Sequence, residues 1–218
     1  TNLYIRVRAT DSDGLFSERA FVLNLRPPNR SVVINEIHYN PDLNTLREEF
    51  IELYNPGDAP VNLASWRLRG GVDFIFPSGA TLPAGGYLVV ASDPATLQSR
   101  YAVAALGPWS GNLSSEGERI TLRNPGDEVV DEVDYRSEFP WPILPNGNGP
   151  SMELIHPGLD NDLGSSWATP LNPAKPSPGA RNRTYLTNAA PNIRQVKHSP
   201  REPASTNAVR VTAKVTDP

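Results

Sequence analysis

Twice the chain runs an alternating segment into the same four residues: EFIELYNPGD occupies 49–58 and ERITLRNPGD occupies 118–127. Proline pre-sets φ at roughly −65° for the second position of a turn, and glycine accepts the positive φ that a type II turn requires at the third. Each copy therefore reads as a strand that stops and reverses. Alternation puts Ile51 and Leu53 on one face with Glu52 opposite, and Ile120 and Leu122 on one face with Thr121 opposite. The flanks do not repeat, since VVINEIHY precedes the first copy and GPWSGNLSS the second. The copies are read as equivalent strand ends in one sandwich, not as a duplicated domain.

The rest of the chain agrees. Strand-like segments fall at 31–39, 49–55, 61–69, 72–76, 86–92, 118–124 and 128–135, most of them bounded by Pro, Gly, Asn or Asp. With 23 prolines and 16 glycines the chain is rich in corners, yet 38% of it is hydrophobic, enough to fill a core. One helix is predicted, with Asp93 as its cap, Pro94 in its first turn and ATLQSRYA following. The predicted fold class is all-β: an antiparallel β-sandwich with one short helix and an irregular C-terminal extension over 136–188, ordered by Trp141 and Trp167 packing onto the sheets.

Both ends read as parts of other domains. Leu3, Ile5 and Val7, then Phe21, Leu23 and Leu25, alternate on either side of DSDG, the pattern of a hairpin, and PPNR at 27–30 reads as a linker. APNIRQVKHSP and AVRVTAKVTD read as the first strands of a further sandwich. The expected organisation is 1–28 as the closing hairpin of a preceding domain, 29–188 as a complete sandwich and 189–218 as the opening of an Ig-like domain, the whole an excerpt of a longer chain. No signal-peptide layout and no membrane-spanning apolar run is present.

Taken in order, VVINEIHYNP, EEFIELYNPGD, VNLASWRLRGGVDFIFP, LPAGGYLVVASDP and EGERITLRNPGDEVVDEVDY resemble the lamin tail domain family in its bacterial branch, with matching order and spacing over 31–135. GNGPSMELIHP, SSWATP and SPGARN are similar to the closing segment of bacterial members, extending the likeness over most of 31–182. The resemblance implies an immunoglobulin-like β-sandwich used as a structural or interaction module and not known as a catalyst. It also implies a setting in long, multi-domain secreted or cell-surface proteins beside other sandwich domains. The chain has no heptad run, so filament assembly and nuclear location do not carry over.

Candidate chemistry is sparse. A net charge of −4 with no basic stripe excludes a nucleic-acid surface, and the absence of cysteine excludes disulfides and thiolate sites. Glu36 and Glu52 fall on neighbouring predicted strands, and a carboxylate pair roughly 5 to 9 Å apart is what glycoside hydrolysis uses. The plainer reading is a solvated strand face, or pairing with a cross-strand arginine. His38, His156 and His198 lack zinc-site spacing and read as surface or rim residues. Two acidic turns are calcium candidates, Asp11 with Asp13 and Asp160 with Asp162, though neither completes an EF-hand loop; no other cofactor is expected. Trp66 reads as core, whereas Trp109, in GPWSGN, is expected to show a face to solvent as a glycan contact.

The function expected from these features is a non-catalytic structural, adhesion or docking module, extracellular or at a cell surface, whose partners are neighbouring sandwich domains and a surface protein or glycan. The alternatives are an accessory carbohydrate-binding module of a larger hydrolase, and glycosidase-like catalysis by Glu36 and Glu52.

Overall fold

The computed structural model describes residues 2–24, 31–41, 47–171, 175–190, 192–202, 204 and 209–216. Leu25 and the linker at 27–30 lie outside these residues. The chain divides into two compact units, one formed by 1–28 with 190–218 and the other by 29–189.

The first unit contributes two hairpins. In one, β1 (Asn2–Thr10) pairs antiparallel with β2 (Phe16–Asn24). The Asp11 amide donates to the Leu15 carbonyl, Gly14 sits at φ +83°, and Asp11 Oδ1 accepts the amides of Asp13 and Leu15. The other hairpin is placed at the far end of the chain.

The second unit contains β3 (Val33–His38), β4 (Phe50–Tyr54), β5 (Val61–Asn62), β6 (Arg67–Arg69), β7 (Val72–Ile75), β8 (Thr81–Leu82) and β9 (Tyr87–Ala91). These are followed by α1 (Pro94–Tyr101), β10 (Ala105–Leu106), β11 (Ser110–Gly111), β12 (Gly117–Arg123), β13 (Val129–Arg136), β14 (Met152–Leu154) and β15 (Trp167–Ala168). In the first unit's second hairpin, β16 (Asn192–Ser199) pairs antiparallel with β17 (Arg210–Thr216).

Two sheets make the sandwich, one in the order β10-β9-β4-β3-β14-β15 and the other β11-β7-β6-β12-β13, with β5 and β8 as a separate two-stranded pair. Among the described residues all pairings between these strands are antiparallel except β9 with β10, which α1 joins as a crossover. Their inner faces share one core that includes Ile51, Leu53, Leu68, Phe74, Ile120, Leu122, Val133 and four tryptophans. The two decapeptides thus supply one strand to each sheet, and their alternation points Ile51, Leu53, Ile120 and Leu122 inward as expected.

The corners after them differ from the type II turns that the sequence suggests. Neither Gly57 nor Gly126 has a positive φ. In the second copy the Asn124 amide donates to the Glu128 carbonyl, closing a three-residue hairpin loop whose left-handed position is Asp127 at φ 64°. A short acidic side chain tolerates that region where most would not. In the first copy the strand does not fold back on itself. Asn55 is buried instead and ties itself to Gly85 and Gly86 through its backbone and to Ala59 and Leu82 through its side-chain amide. The chain then crosses to β5.

The predicted strand at 61–69 is also broken, into β5 and β6, because Ser65 adopts φ 63° and the Trp66 amide bonds back to Leu63. The helix forms as expected. Asp93 Oδ1 accepts the amides of Ala95 and Thr96, and these bonds hold its carboxyl below the usual range. Leu97 packs with Phe50, Val89 and Ala91 on the outer face of the six-stranded sheet, and Tyr101 and Arg100 fasten to Glu48. No helix among the described residues is long and apolar enough to cross a membrane.

Candidate functional site: a buried row of carboxylates

On the outer face of the six-stranded sheet, beside the helix, three glutamates stand opposite one another across three strands. Glu153 of β14 pairs with Glu36 of β3, and Glu36 pairs with Glu52 of β4. Period-two alternation produces the row: Met152, Ile37, Leu154 and Ile51 point into the core, so the residues between them point out. All three carboxylates are nevertheless fully buried.

They are covered by the chain at 175–189. Glu36 Oε1 accepts the Ser151 hydroxyl at 2.5 Å and the Ser177 amide at 2.9 Å. Glu153 accepts the Ser177 hydroxyl at 2.8 Å and the Thr184 amide at 2.9 Å. Glu52 accepts the Asn35 amide group at 2.9 Å and the Gly179 backbone amide at 2.5 Å. Gly179 sits at φ +80°, and a Cβ there would come within 2.6 Å of Val103 Cγ2, so this close approach needs glycine. Asn182 completes the fastening, donating to the carbonyls of Asn35 and Leu154 and accepting from the Asn35 side chain.

Three like charges side by side in a dry layer repel strongly. Burial, reinforced by Glu52 and Glu153, pushes the Glu36 carboxyl well above its usual range despite its bonds to Ser151 and Ser177. Burial likewise pushes Glu52 up to about 8. Glu36 and Glu52 are thus held toward their protonated forms, and all three carboxyls act as acceptors for the covering segment.

Replacing Asn182 with alanine is expected to cost about 2 to 4 kcal/mol, because two buried carbonyls and a buried amide lose their partner together. Urea denaturation measures it; a loss below about 0.5 kcal/mol would mean that water already satisfies those groups.

This arrangement corrects several expectations. Glu36 and Glu52 are neighbours, but they form neither a solvated face nor a pair with arginine, and the covering segment keeps substrate from both. His38, expected at the surface, is fully buried with its ring nitrogens 3.1 Å from the carbonyl oxygens of Glu48 and Gly149. His156 is half-buried and His198 exposed. Trp109 is 7% exposed and belongs to the core, because Ser110–Gly111 pairs as edge strand β11 with β7 and draws the ring inward. It borders a cleft of about 470 Å³ with Asn40, Arg47, Glu49, Ser92 and Asn112. Burial pushes Glu49 up to about 7 there. Trp66 is core, as expected.

At the acidic turns the oxygens hold backbone. Asp11 caps its own hairpin loop, Asp13 stands exposed in that loop, and Asp160 Oδ1 accepts the Asp162 amide while Asp162 Oδ1 accepts the amide of Asp134 on β13. Calcium at either turn would compete with these bonds. Among the described residues no group of three or more His, Cys, Asp or Glu is placed to hold a metal ion.

Glu153 was not singled out from the sequence, although SMELIHP alternates apolar, acidic, apolar and carried the signal. Asn35 and Asn182 had no signal of their own.

None of the curated proteins matches the chain. The family model described as Lamin Tail Domain matches residues 26–137, about half of the chain, and takes in both decapeptides and the first eleven strands of the sandwich unit, β3 to β13, short of β14 and β15. With that match and the immunoglobulin-like sandwich beneath it, the chain belongs to the lamin tail domain family.

Proposed function

We propose that the chain is a non-catalytic structural, adhesion or docking module of a large multi-domain secreted or cell-surface bacterial protein. The observation that carries this reading is the use of the three aligned glutamates as buried acceptors for the sandwich's own closing segment, which leaves the one suggestive acid pair without access to substrate. The two terminal hairpins favour a multi-domain setting. An isolated two-stranded sheet is marginal in water, and Val7, Phe16, Ile193 and Val211 are exposed on these hairpins, so neighbouring sandwich domains of the same protein are their natural partners. An accessory carbohydrate-binding module of a larger hydrolase is the second reading, favoured by a tyrosine-lined hollow on the sandwich surface.

The test has two parts. The purified chain should hydrolyse no member of a glycan panel above the buffer rate, and protease added to intact cells should cleave the full-length protein. Turnover abolished by Glu36→Gln, or complete protection inside intact cells, would overturn the proposal.

A further inference from the structure

Beside the carboxylate row lies a hollow of about 170 Å³ lined by Asn35, Tyr54, Tyr87, Pro157, Arg181, Asn182 and Tyr185. Tyr54 and Tyr87 are a cross-strand pair of β4 and β9 whose rings stack with centroids 4.8 Å apart. Across from them Tyr185 stacks on His156 at 5.4 Å, and the Arg181 guanidinium lies over the Tyr185 ring at 5.2 Å. The Gly158 amide donates to His156 Nδ1, which sets the ring on which Tyr185 rests.

Three features separate this hollow from ordinary packing. The three tyrosines are only half-buried, and their hydroxyls have no hydrogen-bond partner among the described residues. Arg181 is exposed and makes no ion pair among the described residues, and the lining contains no carboxylate. Arg181 also borders an adjoining hollow of about 250 Å³ with Tyr101, Pro176, Ser177 and Arg183, so two ring-sized spaces share one guanidinium.

Aromatic faces cover the C–H faces of a ring, while phenols and planar amide or guanidinium groups bond its hydroxyls, and a lone cation without a counter-charge favours an acidic substituent. We propose that this pair of hollows binds an acidic polysaccharide, with one uronic acid ring among Tyr54, Tyr87 and Tyr185 and its carboxylate on Arg181. A proline-rich peptide also suits a tyrosine-lined groove, but it would leave the guanidinium and the phenols beneath it unpaired. The chain's overall charge of −4 works against acidic ligands at a distance, so the preference is local and weakens as salt rises. This binding role rests on the carbohydrate-binding reading above and stands apart from the structural or docking one.

Titration calorimetry of the full chain with a short oligogalacturonate tests it, with a neutral cello-oligosaccharide of equal length and a proline-rich peptide as the other arms. Oligogalacturonate is expected to bind with a dissociation constant of about 0.1 to 1 mM, at least about tenfold tighter than the neutral oligosaccharide. Arg181→Gln should remove that preference and Tyr87→Ala should weaken binding about tenfold or more. Melting curves establish that both variants are folded, and Tyr87→Phe, which keeps the ring, serves if Tyr87→Ala is not. Any of four results would overturn the proposal: no binding at several-fold above that range, equal binding of the neutral chain, preference for the peptide, or wild-type affinity in folded Arg181→Gln.

Discussion

A chain stopped after Ser137, where the family match ends, will lose its cooperative unfolding transition. The removed segment carries Trp141, Met152, Leu154 and Trp167, each no more than 7% exposed and all in the shared core. Burying a side chain of this size stabilises by roughly 1.5 to 3 kcal/mol, so the four together approach the whole stability of an ordinary domain, about 5 to 15 kcal/mol. The loss does not end there. Without β14 the β3 strand becomes an open edge, and without residues 175–189 Glu36 and Glu52 lose the amides of Ser177 and Gly179. Near-UV circular dichroism during a thermal melt distinguishes the outcomes. A sharp transition at the full-length midpoint would mean that the extension is a peripheral wrapping and the carboxylate row is not a fastening.

The second large effect is a loss of stability toward alkaline pH. A carboxyl whose folded pKa is raised binds its proton more tightly when folded; its contribution is complete below its unfolded pKa and disappears as pH rises through the folded value. Glu52 is raised from 4.5 to about 8, Glu49 from 4.5 to about 7, and Glu36 upward by burial and its two acidic neighbours, so all three destabilise the fold as pH climbs through this range. His156, which burial pushes down, acts oppositely only as pH falls below the ordinary imidazole value of 6.5. From pH 6.5 to 9 the glutamates act unopposed, and the expected loss is on the order of a few kcal/mol.

Glu36→Gln isolates the cause. Glutamine keeps an oxygen for Ser151 and Ser177 and can donate to the Ser177 hydroxyl, so it copies the protonated carboxyl while removing a charge from the centre of the row. The variant should match the wild type near pH 5 and exceed it at pH 9, with a flatter profile between. Parallel profiles in urea unfolding would show that Glu36 is not the group that titrates.

The sequence by itself determined the elements whose causes are local. Alternation oriented Ile51, Leu53, Ile120 and Leu122, Asp93 with Pro94 started the helix, and DSDG closed the first hairpin, because each of these depends on a few neighbouring residues. The motif order that resembles the lamin tail domain family was legible for the same reason. Tertiary structure alone decided what lies over the outer face of β3 and β4. Period-two alternation says that Glu36 and Glu52 leave the core, but it does not say whether water or protein receives them. The answer comes from Ser177, 141 residues after Glu36, and from Gly179, 127 residues after Glu52, contacts that no local pattern encodes. Trp109 turned inward by the same logic, since a two-residue edge pairing with β7 placed it, and the tyrosine-lined hollow exists only where β4, β9 and the closing segment meet.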